Sequence, residues 1–377
     1  MPFPDCTNYL NNSNSSAPSH HEPHRVHSAV FLVIVVAGLP GNFVALFVFL
    51  LGKKRRNAAR CYCINLAAAD LFYVLMLPFR IAFDFYDLNL LPSKSSLCQL
   101  CFYIFFVAMY SSVLFLTAIN INWYLAILQP TRQWKRTNVR QANVVSVVIW
   151  AFTALSSALV FLEDVAMPDH NGGCFDLQLL FELYGLSTVV GFIIPLGVIV
   201  FCSVSILHRM KVRSRNTGSQ LRLELMKKIK AITTSVFTLF IVCFLPHHVI
   251  RLYYLHIYIN AREDDAAACE LAIRLEPYSR AISCLTVSHG LFNPVVYFYH
   301  SRRFRRFLRS KLPHVGKSVS RKPSVSIEWT DLTFHNSQYA GGPRVTIECA
   351  VAGPAEARHV VLISQEEDVE DDTELRE

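Results

Sequence analysis

Several basic side chains interrupt segments of the chain that are otherwise apolar. His248 and Arg251 are three residues apart, which places them on one face of a helix. Charge in apolar surroundings is costly, so such groups are expected to face the protein interior. Arginine binds phosphate or carboxylate through paired hydrogen bonds, so the pattern predicts an anion site. The predicted ligand-binding residues are Arg80, Phe105, Met109, His248, Arg251 and Arg280.

A single acid, Asp70, lies deep in another apolar segment, where an ionisable side chain usually has a function. Enzyme motifs such as Gly-x-Ser-x-Gly and His-Glu-x-x-His are absent, as is an intramembrane pair of aspartates. The eleven cysteines show no paired zinc-binding spacing. We therefore expect neither an enzyme nor a cofactor.

The elements that carry these residues are seven apolar stretches, each long enough to cross a bilayer as a helix. Hydrophobic residues make up 53% of the chain and charged residues 17%, a balance that favours lipid over water as the solvent. No internal inverted repeat of the transporter kind is found. The predicted spans are Ala29–Leu51, Tyr62–Phe85, Leu97–Leu128, Asn143–Leu162, Phe181–Leu207, Ala231–His256 and Leu271–Tyr299.

The orientation of the bundle follows from the basic residues between the spans. The first, third and fifth connections are rich in Lys and Arg, whereas the stretch from Glu163 to Glu182 carries acids alone. Basic connections stay in the cytoplasm, so the amino terminus is predicted outside the plasma membrane. The net charge of +8 thus arises from alternate connections rather than one nucleic-acid-binding face. Sequons at Asn11 and Asn14 predict glycosylation of an extracellular segment, residues 1–28.

Beyond the last span, the His300–Arg309 stretch places Phe304, Phe307 and Leu308 on one helical face among arginines. This pattern predicts a short amphipathic eighth helix on the inner leaflet, which ends the receptor bundle at residues 29–310. Residues 311–377 contain few aromatics and are expected to form a disordered cytoplasmic tail. Ser324 and Ser364 are candidate phosphorylation sites in this tail.

Seven motifs in successive spans resemble those of rhodopsin-like (class A) G-protein-coupled receptors. The fold predicted from the pattern is an all-α bundle of seven transmembrane helices, and the resemblance covers about residues 29 to 310. The motifs are Gly41-Asn42, Leu66-Ala67-Ala68-Ala69-Asp70, Cys98, Trp150, Pro195, Cys243-Phe244-Leu245-Pro246 and Asn293-Pro294-Val295-Val296-Tyr297.

The resemblance implies roles for several of these residues. Residues matching Asp70, Ser112 and Asn293 cradle a sodium ion in the family, although the family usually has Asn where this chain has His289. The family also implies that Phe244, Pro246, Pro294 and Tyr297 take part in helix movement.

Two disulfides are expected on the extracellular side, which is an oxidising compartment. A bridge between Cys98 and Cys174 matches the one found in the family. A second, between Cys6 and Cys269, is expected by similarity to nucleotide and chemokine receptors.

The cytoplasmic end of the third span departs from the family pattern. The chain reads Asn122-Trp123-Tyr124 where most relatives have Asp-Arg-Tyr or Glu-Arg-Tyr, and Ser203 stands where a tyrosine is expected. Tryptophan carries no charge and one hydrogen-bond donor, so the arginine's role does not transfer. One alternative is a receptor that couples to G proteins through its basic loops. The other is an atypical receptor, such as a decoy, a scavenger or an arrestin-biased form.

The stretch from Phe244 to Arg251 is similar to the nucleotide and lipid-mediator branch of the family. This resemblance implies an extracellular nucleotide, lysolipid or carboxylate ligand and a G-protein or arrestin partner. The alternatives are a peptide or chemokine ligand, or no endogenous agonist. Arg80 and Arg280 would in that case reach lipid headgroups or pair with nearby acids. An amine ligand is disfavoured, because Phe105-Phe106 stands where amine receptors have an aspartate.

Overall fold

The computed structural model describes seven stretches of the helical region. It also describes three short segments later in the chain. The helical stretches are residues 21–51, 57–85, 96–128, 139–166, 188–215, 220–260 and 266–300. The later segments are residues 333–337, 344–348 and 361–363. The predicted eighth helix after residue 300, both glycosylation sites and both phosphorylation sites lie outside the described residues.

The helical region forms the predicted bundle, and we number its helices in chain order. They are α1 (His21–Leu51), α2 (Ala58–Phe85), α3 (Ser96–Leu128), α4 (Val139–Ala166), α5 (Ile194–Arg215), α6 (Gln220–Asn260), α7 (Ala266–Val287) and α8 (His289–His300). A π-helical turn, Val189–Ile193, leads directly into α5. Several helices extend beyond the predicted apolar spans, because backbone hydrogen bonding continues into polar sequence at the membrane surface.

Among the described residues, α1 to α6 are each long and apolar enough to cross a membrane. The seventh span is divided in two at Ser288, whose backbone carbonyl accepts hydrogen bonds from the N–H groups of Leu291 and Phe292. Its first half, α7, also carries Glu270, Arg274, Glu276 and Arg280, which lower its apolar character. Helices α7 and α8 together therefore supply the seventh crossing.

Large apolar side chains cover the outside of the bundle. On α4, Val147 and Leu155 are 67% and 68% exposed, although both lie within the apolar span. An extensive exposed apolar surface on a soluble protein would be unusual, whereas in hydrocarbon it is the expected exterior. The fold is thus that of a multi-pass membrane protein.

Buried polar side chains join the helices inside the bundle. Asn42 on α1 donates hydrogen bonds to the carbonyls of Gly38 (3.0 Å) and of Gly290 on α8 (2.6 Å). Trp150 on α4 donates through Nε1 to Asn65 Oδ1 on α2 at 3.0 Å. In hydrocarbon no water competes for these groups, so each bond fixes the position of one helix relative to another.

Arg60 connects the ends of α1 and α2. Its side chain is buried, and it donates hydrogen bonds to the backbone carbonyls of Phe49 (2.7 Å) and Leu50 (3.3 Å) at the end of α1. The last carbonyls of a helix lack intrahelical partners and carry partial negative charge. Arg60, predicted as a loop cation, is therefore a cap for α1.

The described elements extend to both sides of the predicted receptor bundle. Helix α1 begins at His21, and its apolar span begins at Val26. Within residues 311–377, three antiparallel strands pair in the order β1 (Thr333–Ser337), β2 (Arg344–Glu348) and β3 (Val361–Ile363). The β-branched residues of β2 and β3 favour this pairing. The predicted domain boundaries stay predictions.

The close contact of α8 with α2 gives a test of the packing. A Cβ added at Gly290 would lie 2.9 Å from Cγ2 of the buried Val74. We expect Gly290→Ala to destabilise the protein by about 1–3 kcal/mol through overpacking. Gly197→Ala is the matched control, because nothing lies within 4 Å of the added Cβ. The melting temperature of the purified protein should fall for the first variant and not for the second.

Candidate functional site

Arg80 lies at the end of the bundle where α2 and α6 end. Its guanidinium carbon is 5.4 Å from the ring centroid of Phe31 on α1 and 5.4 Å from that of Phe105 on α3. Aromatic faces attract cations at this distance, so the two rings hold the charge between them. Arg80 is partly buried, so its charge is kept close to the bundle interior.

Arg251 on α6 lies in the same region of the bundle as Arg80. Its guanidinium donates a hydrogen bond to the hydroxyl of Tyr110 on α3, and it lies within the electrostatic field of Arg80. His247, the residue preceding the predicted His248, also lies within the field of Arg80. The structure therefore places Arg251 and His247 within the electrostatic influence of Arg80, and it makes Tyr110 a hydrogen-bond partner of Arg251.

His248 occupies a different environment from the one predicted. Its ring is buried and stacks on Phe192 of the π-helical turn, with the centroids 4.0 Å apart and the planes at 11°. His247 lies edge-on to it at 5.4 Å. His248 is thus a packing residue between α5 and α6, whereas His247 lies near the arginines.

Arg280 is engaged within its own helix. Its guanidinium forms an ion pair with Glu276, one turn earlier in α7. An acid at this distance offsets much of the positive charge that the sequence assigned to anion binding. We therefore place Arg280 at the edge of the candidate site rather than among its central cations.

The floor of the site is aromatic and apolar. Phe105 stacks on Tyr73 of α2 with ring centroids 4.6 Å apart. Met109 is buried in the same apolar cluster, together with Val287 of α7. Phe105 thus lies next to the Arg80 guanidinium, and Met109 belongs to the same apolar cluster, which can form a floor for the less polar part of a ligand.

Asp70 lies below this floor and is fully buried. Its Oδ1 accepts a hydrogen bond from the Ser112 hydroxyl at 2.8 Å, and its Oδ2 accepts one from Asn293 Nδ2 at 2.7 Å. His289 Nε2 lies 3.8 Å from Oδ1. The three residues predicted from the sequence thus converge, although His289 occupies a fourth side of the group. The described residues contain no grouping of three or more His, Cys, Asp or Glu side chains suited to a metal.

A continuous series of side-chain rings connects the aromatic floor with the surroundings of Asp70. His289 lies 4.7 Å from Tyr73 and 4.9 Å from Phe244 of α6, measured between ring centroids. From Phe244 the series continues through Phe240 (5.2 Å) and on to Phe192 (5.8 Å). Phe244, predicted as a switch residue, is therefore in contact with His289 beside Asp70. Through Phe240 it is also connected to Phe192 in the π-helical turn before α5.

At the opposite end of the bundle, Trp123 is buried in an apolar cluster. The same cluster contains Met210 of α5 and Ile232 and Val236 of α6. Asn122 is also buried, and the Tyr124 ring lies 5.5 Å from that of Phe201. The departure from the Asp-Arg-Tyr pattern therefore places an indole in the core between three helices.

The other predicted switch residues are distributed as follows. Ser203 is buried, and its hydroxyl makes no hydrogen bond among the described residues. Pro246 lies inside α6 and Pro294 inside α8. Tyr297 is part of α8, and its side chain lies outside the described part of the structure.

One cysteine prediction receives partial support. Cys269 is disulfide-bonded. The other cysteines with described side chains form no disulfide, namely Cys61, Cys63, Cys101, Cys202, Cys243 and Cys284. The partner of Cys269 thus lies outside the described side chains, as do Cys6, Cys98 and Cys174, and the two predicted pairings stay predictions.

Two residues of the site carried little signal in the sequence. Tyr110 follows Met109 in an apolar stretch where a tyrosine reads as core. Gly191 belongs to the π-helical turn before α5, a distortion that is frequent at functional sites. A Cβ added at Gly191 would lie 2.5 Å from Tyr110 Cε1, so the absence of a side chain there lets Tyr110 occupy its position.

Comparison with known proteins agrees with this geometry. Residues 41–297 match the family described as 7 transmembrane receptor (rhodopsin family). Among curated relatives, cysteinyl leukotriene receptor 2 of Sus scrofa is 29% identical, covering 82% of this chain and 88% of the relative. Lysophosphatidic acid receptor 6 of Mus musculus is 30% identical, covering 80% and 88%. The uracil nucleotide/cysteinyl leukotriene receptor of Homo sapiens is 30% identical, covering 78% of each chain.

The contact between Gly191 and Tyr110 gives a second test. Gly191→Ala should displace the Tyr110 ring and cost about 1–3 kcal/mol of stability, since the ring has to move by more than a few tenths of an ångström. In a Tyr110→Ala background the same substitution should cost much less, because the ring is gone. Melting temperatures of the four proteins in this double-mutant cycle measure the coupling. Additive effects would contradict the assigned contact.

Proposed function

Because the chain belongs to the rhodopsin family of seven-transmembrane receptors, we propose that it binds an extracellular anionic small ligand at the Arg80–Arg251 cluster. The ligand is a nucleotide, a lysolipid or a carboxylate metabolite. The receptor lies in the plasma membrane with its amino terminus outside, and it signals by rearrangement of its helices to a G protein or an arrestin.

The observation that carries this proposal is that Arg251 on α6 lies within the electrostatic influence of Arg80 on α2. Two like charges near each other raise the local positive potential, which favours an anion. Guanidinium groups bind phosphate and carboxylate bidentately, so an anion placed between them would gain from both. The aromatic floor at Phe105 and Tyr73 supports a ligand with an apolar or planar part.

The names of the relatives are consistent with this chemistry. A lysophosphatidic acid and a uracil nucleotide each carry phosphate, and a leukotriene carries a carboxylate. The shared feature is a small molecule with at least one anionic group, which is what two arginines recognise. None of these ligands is assigned individually to this chain.

Substitution of Arg251 tests the proposed anion site. Cells that express the receptor would be screened with lysophospholipids, nucleotides and carboxylate metabolites, with arrestin recruitment and G-protein activation both recorded. For any compound that activates the native receptor, Arg251→Ala should raise the half-maximal concentration about 30-fold or more, as expected for loss of a charge-assisted contact of about 2 kcal/mol.

Arg274→Ala is the matched control for this experiment. Arg274 pairs with Glu270 on α7 and its side chain is 75% exposed, so its loss should leave the response unchanged. Surface expression is measured with an antibody against an amino-terminal tag. Equal responses of the native and Arg251→Ala receptors to an anionic agonist would refute the proposed site.

A second candidate function is that of an atypical receptor with weak or absent G-protein coupling. The burial of Trp123 favours it. Trp123 belongs to a buried apolar cluster that also contains Met210, Ile232 and Val236, so opening this cluster would expose apolar surface. No arginine is available at this position to meet a G protein once α6 has moved.

Restoring the family motif distinguishes the two functions. If Trp123 limits coupling, Asn122→Asp combined with Trp123→Arg should increase ligand-independent or ligand-driven G-protein activation per receptor at the cell surface. Asn122→Asp alone is the control, because it leaves the indole in place. Strong coupling of the native receptor that the double substitution does not change would eliminate the atypical function.

A further inference from the structure

We propose that this receptor binds no sodium ion beside Asp70, because the His289 side chain takes the place of the ion. The family resemblance implies a sodium ion held by residues that match Asp70, Ser112 and Asn293. The site in this chain differs at one position, where His289 replaces the usual asparagine. The proposal concerns the centre of the bundle and does not depend on the ligand.

The orientation of the His289 ring is fixed by a backbone hydrogen bond. Nδ1 lies 2.7 Å from the carbonyl oxygen of Thr286, and a carbonyl only accepts, so Nδ1 carries a proton and donates it. Nε2, on the other side of the ring, is directed at Asp70 and lies 3.8 Å from Oδ1. Nε2 makes no hydrogen bond among the described residues, although the ring is fully buried.

The neighbouring rings restrict His289 to this position. Its ring centroid lies 4.7 Å from that of Tyr73 and 4.9 Å from that of Phe244, and both of these rings are themselves fully buried. Rotation away from Asp70 would break the Thr286 bond and disturb both aromatic contacts. The imidazole therefore occupies the space next to the carboxylate as part of the packed core.

The atoms around Asp70 also suit a sodium ion poorly. Hard cations such as sodium are bound by oxygen atoms, whereas imidazole nitrogen suits transition metals. His289 contributes nitrogen, and Asn293 turns its Nδ2 towards the acid at 2.7 Å rather than its oxygen. Among the described contacts of these three groups with Asp70, the Ser112 hydroxyl is the one neutral oxygen, and it donates its hydrogen to Oδ1.

Salt exchange on the full-length receptor in lipid nanodiscs tests this proposal. The melting temperature of the native protein should be the same in sodium, potassium and N-methylglucamine chloride at equal ionic strength. His289→Asn removes the imidazole and restores an amide oxygen, so this variant should be stabilised selectively by sodium, by roughly 2 °C or more. Asp70→Asn in the His289→Asn background should abolish that response. His208→Asn is the matched control, since His208 is exposed on α5, and it should show no sodium effect.

Each outcome of the salt comparison supports or overturns the proposal that His289 excludes sodium. A sodium-specific rise for the native protein that is lost in Asp70→Asn would show that the ion binds despite His289 and would overturn the proposal. A folded His289→Asn variant without any sodium response would show that the histidine is not what excludes the ion, which also overturns it. If His289→Asn does not fold, the comparison of salts on the native protein decides alone.

Discussion

Hydrocarbon cannot form hydrogen bonds, and this one constraint organises the interior of the bundle. Each polar side chain within the spans has to find its partner on a neighbouring helix or in its own backbone. Asn42 therefore bonds to the carbonyl of Gly290, and Trp150 to Asn65. Asp70, the most costly of these groups, draws together α2, α3 and α8 through two short hydrogen bonds. The positions of the helices follow from where these polar groups meet.

Packed side-chain rings connect the candidate ligand site with the centre of the bundle. Arg80 rests on Phe105, Phe105 stacks on Tyr73, and Tyr73 contacts His289 beside Asp70. On its other side His289 contacts Phe244, within the helix that carries Arg251. These contacts form a continuous packed series between the Arg80 guanidinium and the surroundings of Asp70.

At the cytoplasmic end of the bundle, apolar packing takes the place of the polar contacts found in the rest of the interior. Relatives place a charged arginine where this chain buries Trp123 among apolar residues of α5 and α6. An ionic contact can be exchanged for a contact with another charged partner, whereas an apolar cluster separates only by exposing its surface. The buried Ser203, with a hydroxyl unpartnered among the described residues, shows that the polar partner on α5 has been lost as well. Both substitutions replace polar groups of the family pattern with buried side chains that form no ion pair among the described residues.

The sequence alone determined the membrane-spanning fold and the helices that carry the polar motifs and the candidate arginines, because hydropathy and helical spacing are local properties of the chain. Tertiary structure decided which groups touch. The tight contact of Gly191 with Tyr110 and the aim of His289 Nε2 at Asp70 depend on packing between helices distant in sequence. No pattern within one segment encodes such a contact, since it depends on how two helices rotate and approach each other.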